Sequence, residues 1–251
     1  MSGVRQRERY RIGCAGWAIP SPYAAQFAGP GTHLQRYARV LPAVEINSSF
    51  YRSHQPQTYA RWAASVPERF QFAVKMPRTI THMARLSGVG VEAALKQFLD
   101  EVTALGAKLG PLLMQLPPSL AFDGAVAGRF FETLRNQFSG GVACEPRHPS
   151  WFEPSANALL VRHQVARVAA DPAVVPAAAQ PGGWTGLTYY RLHGSPRMYY
   201  SAYSTEFLET LAQKLAATTG PVWCIFDNTA AGAATANALH LAKLLCPHTV
   251  E

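Results

Sequence analysis

Short apolar runs, rich in β-branched and aromatic residues, alternate along the chain with longer stretches in which Ala and Leu recur at helical spacing. The short runs lie near residues 11–16, 43–47, 70–75, 111–116, 142–145, 165–171, 187–193 and 222–227 and predict strands. The amphipathic stretches lie near residues 33–40, 57–66, 91–109, 124–138, 154–163, 205–217 and 231–245 and predict helices. Such alternation argues for βαβ units and a parallel sheet. Eight strands in 251 residues predict one domain of the α/β class, a single TIM-like (β/α)8 barrel over residues 1–251, with an open doubly wound sheet as the alternative. One unit breaks the rhythm. After Asp171 the segment PAVVPAAAQPGGWTG carries too many prolines and glycines for a full helix, so an irregular loop is expected after the sixth strand.

Composition changes this picture little. Hydrophobic residues make up 48% of the chain, enough for a sizeable core, and no run reaches the roughly 18 apolar residues of a membrane span. Residues 1–11 are polar and Arg-rich without an apolar core, unlike a secretory signal, so a cytoplasmic location is expected. Cys14, Cys144, Cys224 and Cys246 show no CxxC spacing and read as buried, reduced thiols. Twenty-three basic against fifteen acidic side chains give a net charge of +8, which suits nucleic acid or anionic metabolites, but a general abundance of Arg accounts for it equally well and charge alone decides nothing. Arg is spread along the whole chain, and the densest segment is the spaced Arg5, Arg7, Arg9 and Arg11. His33, His163, His240 and His248 fall in helical or terminal stretches and read as surface residues.

The candidate chemistry lies at the ends of the predicted strands, because in parallel βα barrels those ends face the catalytic mouth. Period-2 alternation in VEINSSFY places Glu45 and Asn47 on one face, with the apolar Val44 and Ile46 on the other, packed on helices. The same logic aims Lys75 inward at the end of FQFAVK, and Gln115 at the end of LLMQL. It pairs Glu145 with Arg147 and Arg191 with His193, and it ends other runs on Asp171, Asp227 and Asn228. Buried ionisable groups cost several kcal/mol unless paired or solvated, so seven of eight strands ending in polar groups, six of them ionisable, point to a ligand site. Among the cations, Lys75, Arg147 and Arg191 are joined by Arg78, His82 and His193; the anions are Glu45, Glu145 and Asp171. Glu145 is expected to neutralise Arg147 or Arg191, and the charge left over makes a basic pocket able to hold a phosphate or carboxylate. Burial behind an apolar run would depress the Lys75 amine toward the range of a general base or Schiff-base former, and His82 and His193 are natural proton carriers. Trp17, Tyr51, Trp151, Tyr199, Tyr200 and Tyr203 follow strand ends and are candidate walls of the pocket. The sequence holds no P-loop, GxGxxG, HExxH or GxSxG pattern.

Seven ordered motifs, RIGCAGW, VEINSSFY, FAVKMPRTITH, LLMQLPPS, EPRHPSWF, YYRLHG and FDNTAAGAATANAL, resemble the DUF72 (YecE-like) family over nearly the whole chain. The resemblance implies a TIM-barrel fold and no particular reaction. It matches Trp17, Glu45, Asn47, Tyr51, Lys75, Arg78, His82, Gln115, Glu145, Arg147, His148, Asp171, Arg191, His193 and Asn228. Cys14 departs from it, standing where a Thr or Ser is expected. The family is similar to barrels that include metal-dependent endonucleases and sugar isomerases, a likeness of fold alone.

Three functions fit these residues. The leading one is an enzyme acting on a phosphate- or carboxylate-bearing small molecule by acid/base chemistry, without a cofactor. Glu45, Lys75, Glu145 and His193 are its catalytic candidates; Trp17, Asn47, Tyr51, Arg78, His82, Gln115, Arg147, Asp171, Arg191 and Asn228 are its substrate-binding candidates. The second is a metal-dependent phosphodiesterase or nucleic-acid-binding barrel, in which Glu45, Glu145, Asp171 and His193 hold a divalent ion. The third is a non-catalytic small-ligand-binding protein. No membrane association is expected, and the oligomeric state is not legible.

Overall fold

The structure, a computed structural model, describes residues 9–246; Arg5, Arg7 and His248 lie outside them. Among the described residues ten strands form: β1 Tyr10–Cys14, β2 Ala43–Ile46, β3 Gln71–Lys75, β4 Leu109–Gln115, β5 Val142–Glu145, β6 Val165–Arg167, β7 Ala169–Asp171, β8 Gly182–Gly183, β9 Thr188–Leu192 and β10 Val222–Phe226. Seven α-helices connect them: α1 His33–Val40, α2 Pro56–Ala64, α3 Val91–Val102, α4 Gly124–Gln137, α5 Pro154–Arg162, α6 Thr205–Ala217 and α7 Ala233–Leu245. Their starts are chemically marked. Thr32 and Gln35 close a reciprocal capping box on α1, and the Asp123 carboxylate accepts the first free N–H groups of α4.

The strands make two sheets, ordered β1-β10-β9-β7 and β2-β3-β4-β5-β6-β8, and every pairing is parallel except β6 with β8. Alternate residues face two different cores. Val44, Ile46, Phe72, Val74, Leu112, Met114, Val142 and Cys144 pack outward with helix residues such as Leu95, Phe131 and Leu160. Ala43, Ala73, Leu113, Ala143, Ala166, Tyr189, Trp223 and Ile225 form a second cluster that draws on both sheets, so the sheets share one interior. Because both strand faces are buried, the parallel strands read as continuous apolar runs. Trp223 stacks on Tyr189 (centroids 6.1 Å apart) and reaches across to Gly110 on β4, where an added Cβ would sit 2.5 Å from the indole.

The sheets meet at two seams. At the first, Ala15 bridges Glu45 and the Gly16 N–H donates to the Glu45 carbonyl (2.9 Å). Lower down, the buried Tyr37 hydroxyl accepts from the Cys14 N–H (2.8 Å) and donates to the Ala43 carbonyl (3.1 Å). Gly13 makes that approach feasible, since a Cβ there would lie 2.0 Å from the Ala43 oxygen. Gly13→Ala is therefore expected to destabilise the protein by about 3 kcal/mol through overpacking at the seam. Urea denaturation checks this, and a loss under about 1 kcal/mol would show that the seam gives way easily.

The second seam is the predicted sixth strand, which the structure divides. Val168 leaves the ladder, so β6 pairs with β5 while β7 pairs with β9. The irregular unit after Asp171 has no α-helix, as its prolines and glycines require, only a 3₁₀ turn at Pro176–Ala179. It also supplies β8, a short antiparallel strand that no alternating pattern announces, because it consists of two glycines. The predicted helix over 91–109 is shorter, ending at Val102; the chain then turns at Gly106, whose φ of 58° no helix tolerates. No helix among the described residues is long and apolar enough to cross a membrane.

Candidate functional site

The interior alternation that begins with Ala43, Ala73, Leu113 and Ala143 changes from apolar to ionisable at the strand C-termini. Two residues beyond Ala43 is Glu45; likewise Lys75 follows Ala73, Gln115 follows Leu113, Glu145 follows Ala143, and Arg191 and then His193 follow Tyr189. Two residues beyond Ile225 is Asp227. Six of these seven, all but Gln115, are buried, so the apolar interior is capped by a layer of charge.

Arg191 is its hub. The guanidinium, with no exposed surface, donates from Nε to Glu45 Oε2 (3.0 Å) and from Nη2 to Glu45 Oε1 (2.7 Å). It reaches Glu145 Oε2 from Nη1 (2.9 Å) and Asp227 Oδ2 from Nη2 (3.1 Å). The Tyr189 hydroxyl donates to Glu45 Oε2 (2.9 Å), and Gln115 Nε2 donates to Glu145 Oε2 (3.1 Å). Burial opposes charge on Glu145, but Arg191, His193 and Arg147 hold its carboxyl well below the usual carboxylate range. The same contest leaves Asp227 lowered, mainly by Arg191, and leaves Arg191 raised well above its ordinary value by Glu45, Asp227 and Glu145. The expectation that Arg191 clamps a substrate anion therefore needs correcting: four of its five N–H donors are spent on protein carboxylates.

His193 joins two of those carboxylates. Nδ1 lies 3.0 Å from Asp227 Oδ2 and Nε2 lies 2.8 Å from Glu145 Oε1. Arg147 Nη2 completes a triangle, 2.6 Å from that Nε2 and 2.5 Å from that Oε1. With its proton on Nδ1 the ring donates to Asp227 and accepts from Arg147; with a proton on Nε2 it donates to Glu145. Tyr199, held at a left-handed φ of 68°, sets its ring edge-on to the imidazole at 5.9 Å.

Lys75 stands apart from this bonding. It is 5% exposed, and its ammonium lies 4.1 Å from the centroid of Phe50, over the ring face. Desolvation by burial and then the Arg191 charge lower its pKa to about 8, against the opposing pull of Glu45, Glu145 and Asp227. His82 sits edge-on to the same Phe50 ring (4.9 Å), and burial together with the Lys75 and Arg78 charges lowers its pKa. Arg78 is exposed at the start of the π-helical turn Thr79–Met83. Three buried polar atoms near these strand ends have no partner within the protein: Asn47 Oδ1, Arg147 Nε and Asn228 Oδ1.

The other candidates take different places. Trp17 packs edge-on against Trp62 (5.0 Å), and Tyr51 is 69% exposed. Asp171 accepts from the Tyr203 hydroxyl (2.8 Å) instead of joining the ring of carboxylates. Asn228 Nδ2 donates to the Ser201 carbonyl and to Asn237 Oδ1 (2.9 Å each). His148 caps the turn Pro149–Phe152 through Nδ1. Among the described residues no three His, Cys, Asp or Glu side chains are grouped to hold a metal; of the set Glu45, Glu145, Asp171 and His193, the first two face Arg191 and Asp171 faces Tyr203. Glu45, Glu145 and Asp227 lie among Arg191, Arg147 and Lys75, and the place assigned to Asp171 is taken by Asp227. Its signal was its spacing, two residues past Ile225 on the interior face. The cysteines form no disulfide, and burial pushes the Cys14 thiol up to about 12. His33 is exposed and His163 and His240 are half-buried.

Comparison with known proteins agrees with this architecture. The family model "Protein of unknown function DUF72" matches residues 11–250. The UPF0759 protein YecE of Escherichia coli K12 is 32% identical over 153 residues, which is 59% of this chain and 55% of YecE, so the match spans about half of that relative's length. A DUF72 family structure from Enterococcus faecalis V583 superimposes with a TM-score of 0.79 at 22% identity, covering 96% of this chain and 97% of the other. One from Thermotoga maritima MSB8 gives 0.77 at 24%, covering 94% and 98%. These two establish the shared mixed α/β fold with parallel sheets. With a family model spanning nearly its whole length, the chain belongs to the DUF72 family.

Proposed function

We propose that this chain is an enzyme acting on a small phosphate- or carboxylate-bearing substrate, with Lys75 as its proton-transferring group. The reading takes the two sheets as one eight-position (β/α)8 barrel, joined at the Ala15–Glu45 bridge and at the divided strand β6–β7, with the charged layer at its mouth. The observation that carries it is the layering of charge. Carboxylates are bound to Arg191 beneath, while Lys75, Arg147 and the exposed Arg78 lie toward the opening. An anion is favoured above that layer, where Arg147 Nε lacks a protein partner. A lysine whose pKa is about 8 exchanges its proton readily near neutral pH, the requirement for general acid/base work. His193, hydrogen-bonded to both Asp227 and Glu145, can pass a proton between the two.

A competition experiment tests this. Lys75 is labelled with a trace of acetic anhydride in the presence of inorganic phosphate, citrate or phosphoglycolate, and the modified peptide is quantified. The anions are expected to slow labelling at Lys75 by about threefold or more, to leave Lys96 unaffected, and to lose their effect in Arg147→Gln. Equal rates with and without every anion would remove the assignment.

A further inference from the structure

Five lysines occur in the chain, and four are ordinary. Lys96 is exposed and paired with Asp100 (2.6 Å), Lys108 donates to the carbonyls of Ala63 and Val66 (2.6 Å each), and Lys214 and Lys243 are exposed. Lys75 differs in three respects. Its side chain is buried, and among the described residues its amine has no hydrogen bond and no ion pair. The amine retains contact with solvent, since it is absent from the buried polar atoms that lack a partner.

The reason lies in the neighbouring layer. Glu45, Glu145 and Asp227 would each be a natural partner for an ammonium, but Arg191 binds all three and leaves its own positive charge close to Lys75. The remaining partner is the face of Phe50, which attracts an ammonium and also packs comfortably against a neutral amine. An amine that is dehydrated, unpaired and open on one side is a nucleophile as well as a base.

We propose that Lys75 forms an imine with a substrate that is an aldehyde or ketone bearing a phosphate or carboxylate, an inference that rests on the anion-binding active site argued above. The Nζ lone pair adds to the carbonyl carbon while the C=O π electrons move to oxygen, giving a carbinolamine. The oxygen then departs as water with the two hydrogens that the amine began with, and C=N forms. Protonation of that nitrogen makes an iminium, which draws electrons from the adjacent C–H or C–C bond. No oxidant, reductant or cofactor enters the balance. Arg147 and Arg78 would take the substrate's anionic group.

Reductive trapping tests this. The full chain is incubated near pH 7.5 with pyruvate or with dihydroxyacetone phosphate in the presence of sodium cyanoborohydride, then analysed by intact mass and peptide mapping. One adduct per chain is expected, on Lys75, with a preference of about tenfold or more over Lys96, Lys214 and Lys243. In Lys75→Arg the adduct should vanish while the background on the other lysines persists. Adducts distributed by exposure alone, or none on Lys75 with either probe, would overturn the imine. The two readings fail separately: anion shielding of Lys75 without trapping removes the imine and keeps the acid/base site, whereas neither shielding nor trapping removes both.

Discussion

Replacing Arg191 by methionine is expected to lower the stability of the protein by about 3–5 kcal/mol at neutral pH. The loss is large because the guanidinium has no exposed surface and compensates three carboxylates, two of them fully buried. Methionine fills much of the same space, so the dominant penalty is electrostatic: Glu45, Glu145 and Asp227 are left facing one another in a medium that screens weakly. In a chain of 251 residues such a loss corresponds to a melting temperature lower by on the order of 10 °C. The pH dependence should invert as well. In the native protein the depressed carboxyls of Glu145 and Asp227 contribute stability that is present above their ordinary values of 4.5 and 3.8 and is lost in acid. Without Arg191 those carboxyls are raised instead, so the variant should gain stability relative to wild type as pH falls from 7 toward 5. Arg191→Lys is not expected to rescue it, since one ammonium cannot span three carboxylates in the planar fork geometry. Urea denaturation at several pH values measures both effects, and a variant within about 1 kcal/mol of wild type at neutral pH would show that the carboxylates find other partners.

The size of that penalty bears on why the layer exists. A buried ion-pair network seldom outperforms apolar packing of the same volume. The interior just below it, Ala43, Ala73, Leu113, Ala143 and Tyr189, shows that this fold packs well without charge. The charge gathered at the strand C-termini is therefore accounted for by the proposed chemistry at that end and not by stability.

Much of this arrangement is legible in the sequence, because period-2 alternation fixes which side chains share an interior. That rule alone brings Glu45, Lys75, Glu145, Arg191 and His193 into one layer, and it also points to Asp227, two residues beyond Ile225. What alternation does not carry is depth and partnership. It places Arg191 and Arg147 in the same pocket, yet the fully buried Arg191 is bound to three carboxylates while Arg147 keeps an unpaired Nε. Asp171 ends a strand much as Asp227 does, but the break at Val168 precedes it, and Tyr203 takes its carboxylate. Residues past the strand ends are less constrained still: Trp17 packs on Trp62 and Tyr51 stands exposed. The two-glycine strand β8 has no side chains from which a pattern could be read.

Lys75→Met is expected to have opposite effects on stability and on function. An ordinary lysine holds its proton to a pH near 10.5, whereas in the folded protein Lys75 releases it near 8. Between those values the unfolded chain binds a proton that the folded chain does not, so stability rises with pH across that window. Below about 8 the cost of burying the ammonium is present in full. Methionine removes the charge and keeps the packing on Phe50, so the variant should be more stable than wild type by about 1–3 kcal/mol at pH 7. That advantage should shrink steadily as pH rises toward 10. The same substitution should abolish turnover and imine trapping, since neither proton transfer nor addition to a carbonyl can proceed from a thioether. A stabilising mutation that destroys activity identifies a group held in an unfavourable state for the sake of its reaction. Melting curves of the two proteins from pH 7 to 10 decide the point: a variant less stable than wild type throughout would mean that the ammonium is a structural cation, and Lys75 would lose its claim to the chemistry.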